Sequence, residues 1–130
     1  MERGQIVIEK TKGTKKFWLT SRGRIEMPYP LDYGYLHDIF NPDDNAQADV
    51  FVGTAGDAPN ARHGYFIKGR VMPEGEVVYD ELKWFVGLSD EEYDSLRQWW
   101  YESDPGVTWG WTELPSRFEV VKHAFAHSIR

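Results

Sequence analysis

The chain has no cysteine among its 130 residues, which excludes disulfides and thiolate metal sites and leaves carboxylates, carbonyls and imidazoles to hold any metal. It also lacks long apolar runs. The longest, such as Trp84 to Leu88, fall far short of a bilayer span, and the N-terminus has no signal-peptide core. No membrane association and a cytoplasmic setting are therefore expected. Basic residues are in deficit, with 15 Lys and Arg against 21 Asp and Glu and a net charge of −6. That balance argues against nucleic acid as a partner, because broad nucleic-acid binding needs a basic field over the docking face. Repeats, low-complexity tracts and long linkers are missing too, so one domain over residues 1–130 is expected.

Aromatic residues, by contrast, are plentiful. They make up 15% of the chain, with six Trp and seven Tyr, and hydrophobic residues make up 41%, too much apolar surface for a disordered chain. Short β-branched and aromatic runs predict strands over Gln5–Lys10, Lys16–Leu19, Arg24–Met27, Ala48–Val52, Tyr65–Met72 and Leu82–Gly87, punctuated by Gly, Pro, Asn and Asp turns. Ser89-Asp90-Glu91-Glu92 reads as a capping box, and Tyr93, Leu96 and Trp100 follow at helical spacing, predicting a helix from Asp90 to Glu102. A strand-like Val107–Trp111 comes next. Pro115–Ile129 then predicts a second helix with Phe118, Val121, Phe125 and Ile129 on its apolar face. Strands first and helices last predict a mainly β, α+β fold, a small closed OB-like β-barrel with two helices packed on one side.

Acidic side chains gather beside turns in two places. In Asp43-Asp44-Asn45-Ala46-Gln47-Ala48-Asp49, a loop runs straight into an apolar strand, so Asp44 and Asp49 are placed to converge on one cation. The other segment runs from Glu74-Gly75-Glu76 to Asp80-Glu81-Leu82-Lys83, where strand alternation puts Glu81 and Lys83 on one face and Trp84 on the other. Such a set suits magnesium, which takes few carboxylates and leaves positions for water and phosphate oxygens. By themselves both clusters read more readily as solvated turns than as metal sites, and Glu81–Lys83 reads equally well as a simple cross-strand ion pair. The Trp99-Trp100-Tyr101 and Trp109-Gly110-Trp111 clusters read as core rather than as a stacking platform. The His123/His127 pair reads as a solvated helix end, and no Gly-x-Ser-x-Gly elbow supports nucleophilic catalysis.

Tyr29-Pro30-Leu31-Asp32-Tyr33-Gly34-Tyr35, followed by the acidic loop and Asp49-Val50-Phe51-Val52, resembles the Tyr-Pro-x-x-Tyr-Gly-Tyr block and aspartate signature of the family I soluble inorganic pyrophosphatases. Ile6-Val7-Ile8-Glu9 with Lys16-Phe17 is similar to that family's first strand and substrate lysine. Glu81-Leu82-Lys83-Trp84 is similar to its acid-x-Lys strand, and Gly110-Trp111 precedes the last helix as it does there. The resemblance implies metal acids at Glu9, Asp44, Asp49, Glu74 and Glu81, with Glu76 or Asp80 as alternatives after a register shift. It implies phosphate ligands at Lys16 and Lys83, a substrate hydroxyl at Tyr33, and a phosphate arginine at Arg24, with Arg22 as competitor. Tyr33, Asp44 and Asp49 would then be the catalytic set and Mg2+ the cofactor.

The chain departs from the pattern in the aspartate loop, where Ala46 and Gln47 stand in place of the middle acid and its proline, so the expected general base is absent. Trp18 replaces an acid after the lysine, and Ser103-Asp104 falls where a Tyr-Lys pair belongs. The function implied is magnesium-dependent hydrolysis of pyrophosphate or a related phosphoanhydride. The alternative is a catalytically impaired relative that binds a phosphorylated ligand or a protein partner. The small-molecule partner is a phosphate compound in either case, and the surplus of aromatics would suit a homo-oligomer.

Overall fold

The computed structural model describes residues 1–20, 23–41, 46–71, 73–103 and 107–128, with backbone alone at 18–20, 70–71, 77–81 and 107–109. The order along the chain is β1 (Ile6–Lys10), β2 (Lys15–Thr20), β3 (Gly23–Pro28), β4 (Asp32–Phe40), β5 (Gln47–Val52), β6 (Arg62–Val71), β7 (Val77–Leu88), α1 (Asp90–Ser103), β8 (Val107–Leu114) and α2 (Arg117–His127). Six strands form one sheet in the order β1-β4-β5-β7-β6-β8, and β2 and β3 form a separate ribbon. All neighbours run antiparallel except β5 and β7, which pair in parallel through Val50–Trp84, Phe51–Phe85 and Val52–Val86.

Two expectations are corrected here. No sheet among the described residues closes into a barrel: β1 and β8 are edges of the large sheet, and β2 and β3 pair only with each other. Closure needs the first and last strands to share a ladder, which a count of short strands cannot reveal. Nor do the helices share a side. Phe51, Phe66 and Phe85 pack with Tyr93, Leu96 and Trp99 of α1. Their chain neighbours Val50, Trp84 and Val86 pack with Val120 and Ala124 of α2. Successive strand residues face opposite ways, so α1 and α2 cover opposite faces of the sheet.

β4 is the element that the sequence pattern does not announce. Its Asp32, Gly34 and Asp38 interrupt the apolar run, yet it lies between β1 and β5. Gly34 is there because the β1 backbone passes so closely that a Cβ would overlap the Val7 carbonyl. The ladder with β5 breaks between Tyr35 and Phe40, and Asp38 within that break has φ of 58°. The Gln47 side chain accepts the Asp38 N–H at 2.8 Å and holds this bulge.

Both helix starts follow the chemistry of their sequences. Ser89 Oγ accepts from Glu92 N at 3.2 Å while Glu92 Oε1 accepts from Ser89 N at 2.9 Å, a reciprocal capping box. The same carboxylate takes the Thr54 N–H at 3.0 Å, which ties α1 to the loop after β5. Burial pushes the Glu92 carboxyl up, but the hydrogen bonds from Ser89 and Thr54 outweigh it and leave its pKa lowered. Ser116 caps α2 by accepting from Glu119 N. The buried side of α2 is Val120 and Ala124, with Val121 packed beside them, whereas Phe118 and Phe125 are 72% and 51% exposed, so the expected apolar face holds at Val121 and turns outward at the phenylalanines. Ile129 lies outside the described residues.

His63 is buried, and its Nδ1 accepts the Gly87 N–H at 2.9 Å. Burial lowers its pKa, with Arg117 acting the same way and Asp57 opposing. The unfolded chain therefore takes up this proton before the folded one does, and stability falls as pH drops below the ordinary histidine value of about 6.5. In urea titrations between pH 7.5 and 5, His63→Asn is expected to flatten that slope. An unchanged slope would remove His63 as its source.

Candidate functional site

On the α1 face of the sheet, the β4–β5 register sets Tyr33 opposite Phe51 and Tyr35 opposite Asp49. Strand alternation thus brings Tyr33 and Asp49 to one surface, and the parallel pairing of β5 with β7 delivers Lys83 beside them. Lys83 Nζ lies 2.9 Å from Asp49 Oδ2, with 7% of the lysine side chain and 23% of the aspartate side chain exposed. The ammonium also stands 5.6 Å from the Trp100 ring centre, so α1 closes one side of the group.

The Tyr33 hydroxyl is hydrogen-bonded to Asp49, and its pKa is strongly raised, first by burial and then by the charges of Asp49 and Glu9. It stays protonated at neutral pH and acts as a donor. Tyr29 is stacked on Tyr33 at 5.1 Å and on Trp99 at 5.8 Å, and its pKa is raised by burial, Asp49 and Glu9. Lys16 Nζ sits 5.9 Å from the Tyr29 ring centre. Glu9 lies at the irregularity in β1 between Ile8, opposite Gly34, and Lys10, opposite Tyr33, so it faces the same tyrosines. Glu9, Lys16, Tyr33, Asp49 and Lys83 therefore gather around one aromatic floor formed by Tyr29, Phe51, Trp99 and Trp100.

Other expected site residues are placed elsewhere. Paired residues in a two-stranded ribbon share a face, so the β2–β3 register sets Arg24, opposite Leu19, on the reverse face from Lys16. The Arg24 guanidinium lies over the exposed Phe17 ring at 4.4 Å. Glu74 is exposed in the turn between β6 and β7, several residues beyond Val77. At about 3.3 Å of rise per residue it stands roughly 20 Å or more along the strand from Lys83. Asp44 and Arg22 lie outside the described residues. Glu81 is described by its backbone alone, which pairs with Lys68, and the side chain of Asp80 is likewise outside the description.

Asn41 N donates to Ala46 O at 2.8 Å, and the buried Asn41 side chain donates to Leu82 O at 3.2 Å, next to Lys83. Asn41 is a contributor that residue-type reasoning passes over, because a lone amide carries no distinctive spacing; Tyr29 belongs to the tyrosine block but carries no role there, and Trp100 reads only as core. The remaining aromatics behave as packing: Trp99 is buried and donates to Pro28 O at 2.6 Å, and Trp111 stacks on Phe66 at 4.2 Å.

Among the described residues no group of three or more His, Asp or Glu side chains is close enough to enclose an ion. Hard-oxygen donors are nevertheless present at Asp49 and Glu9. One or two carboxylates are what magnesium takes when water and substrate phosphates complete its shell, so the donor chemistry of Asp49 and Glu9 suits such a cation without forming a protein-only cage.

The chain matches no protein family and no curated protein in sequence comparison. Its structure is similar to that of an inorganic pyrophosphatase from the bacterium Helicobacter pylori, with a TM-score of 0.54 and 13% identity over 94% of this chain and 89% of that one. At that identity the likeness shows the fold, which is pyrophosphatase-like, mostly β with two helices. No helix among the described residues is long and apolar enough to cross a membrane.

Proposed function

We propose that this chain is a magnesium-dependent hydrolase of inorganic pyrophosphate or a related small phosphoanhydride. The observation carrying the proposal is the convergence of Glu9, Lys16, Tyr33, Asp49 and Lys83 on one aromatic floor of a pyrophosphatase-like fold. Asp49 and Glu9 would hold the cation, with Asp44 and Glu81 as further candidates. When bound, the cation supplies Lewis-acid charge to the phosphoryl oxygens. Lys83 and Lys16 neutralise the remaining oxygens, and the protonated Tyr33 hydroxyl donates a hydrogen bond to one of them. Asp49, held by both Lys83 and Tyr33, is positioned without needing to reorganise.

A second reading, binding of a phosphorylated ligand without turnover, is favoured by one feature. Ala46 leaves no carboxylate where the pattern calls for a base, and Lys83 already engages Asp49. Phosphate release from pyrophosphate, with and without magnesium, separates the two. We expect slow, magnesium-dependent release, and a rise of about 10²-fold or more in Ala46→Asp, in line with what a positioned base contributes. Saturable pyrophosphate binding with no release by either protein would leave only the second reading. Neither binding nor release would end both.

A further inference from the structure

The two edges of the large sheet differ in how they are protected. β1 offers only five residues, its ladder with β4 is broken between Ile8 and Lys10, and the charged Glu9 and Lys10 are exposed at the break. Irregularity and charge are the devices by which an edge strand resists further pairing. β8 is built otherwise. Its eight residues include no proline and pair with β6 in unbroken register from His63–Leu114 to Arg70–Val107, while its outer side meets no strand among the described residues. The single charged residue of the strand, Glu113, is engaged by Arg62 Nε at 2.5 Å.

The strand's own sequence says what fits along it. Thr108-Trp109-Gly110-Trp111-Thr112 reads the same in both directions. An antiparallel neighbour runs the opposite way, so a second copy of this strand centred on Gly110 meets its own kind: Gly110 falls opposite Gly110, Trp111 opposite Trp109 and Thr112 opposite Thr108. Aromatic–aromatic and Thr–Thr positions are among the stabilising cross-strand pairs. In this register Glu113 falls opposite Val107, which separates the two Glu113 positions by about 20 Å along the seam, so the copies bring no like charges together. A ladder over Val107–Glu113 makes about six to eight hydrogen bonds, within the roughly 10 ± 5 of a protein interface.

We propose that β8 is a homodimer interface, at which two copies of the chain join their six-stranded sheets edge to edge about a twofold axis through Gly110. A twofold contact closes on itself, so each β8 edge is used once and association stops at two. The seam lies at the opposite edge of the sheet from β1 and Glu9, and the inference does not rest on the hydrolase reading.

Because the chain has no cysteine, one introduced thiol reports one position. Copies of Gly110→Cys would bring their Cα atoms to about 4.5–5.5 Å, within disulfide range, whereas copies of Thr112→Cys would stay about 14 Å apart. Both positions are exposed. In a glutathione redox buffer Gly110→Cys is expected to form a covalent dimer at least about tenfold faster than Thr112→Cys, since pairing raises the local thiol concentration. In sedimentation equilibrium the unmodified chain should dimerise. Gly110→Lys and Gly110→Glu should each associate at least about tenfold more weakly, because like charges then meet at the axis, and their equimolar mixture should recover the dimer. No atom lies within 4 Å of a Cβ added at Gly110, so the free chain accommodates these side chains, and the cysteine pair decides alone if a charged variant does not fold. A monomeric unmodified chain, growth past the dimer, equal cross-linking at the two positions, or a mixture no more associated than its components would each overturn the proposal.

Discussion

Gly34→Ala is expected to cost about 3–5 kcal/mol, the range reached by few single substitutions and a large part of the 5–15 kcal/mol that holds a domain together. A Cβ at this position would lie 1.8 Å from the Val7 carbonyl oxygen and 2.9 Å from the Ile8 Cα, both of them backbone atoms that no rotamer change can move aside. Relief requires β1 to separate from β4. Glu9, in the β1 irregularity next to Lys10, would then lose its place beside Tyr33, so magnesium-stimulated phosphate release should fall together with stability. Gly110→Ala is the matched control, since nothing lies within 4 Å of its added Cβ and its φ is ordinary. Urea midpoints measure the difference. If Gly34→Ala shifted the midpoint no more than Gly110→Ala does, the close approach of β1 would be refuted.

Lys83→Met is expected to lower the rate of phosphate release by about 10²–10³-fold, the effect of removing one preorganised group that stabilises developing charge. It should also destabilise the fold. Removing one partner of a largely buried pair leaves the other desolvated and unpaired, a loss of about 3 kcal/mol where both are deeply buried and less here, because Asp49 retains some solvent contact. The double variant Lys83→Met/Asp49→Asn separates the two effects. Stability should partly recover, because no lone charge remains, whereas activity should not. Additive losses of stability across the cycle would show that the two groups do not interact.

The parts of this structure legible in the sequence are those governed by local chemistry. The serine and glutamate around α1 have only one efficient way to satisfy orphan N–H groups, so that helix could be read from four residues. Alternation along β7 correctly separated Lys83 from Trp84, and the tyrosine block with Asp49 pointed to side chains that do meet. Longer-range geometry was not legible. β4 was hidden because its glycine and aspartates read as turn residues, while their roles are to admit the β1 backbone and to form a bulge. The open sheet and the helices on opposite faces depend on which edges pair, which no window of residues encodes. In α2, helical spacing identified an apolar stripe but not its orientation: the smaller Val120 and Ala124 fit against the sheet, and the larger phenylalanines remain outside. Arg24 could be matched by its approximate position, yet the ribbon register turns it away from Lys16.

The parallel ladder between β5 and β7 bears on how the protein acquires its chemistry as it folds. β4 with β5 and β6 with β7 are neighbours along the chain and can zip up early, whereas Asp49 and Lys83, 34 residues apart, meet only when the two hairpins dock. The seam of that docking is where carboxylate and ammonium come together. Partly assembled chains would carry each half of the reactive group without the other, so competence should appear in the same kinetic phase as the final joining of the sheet.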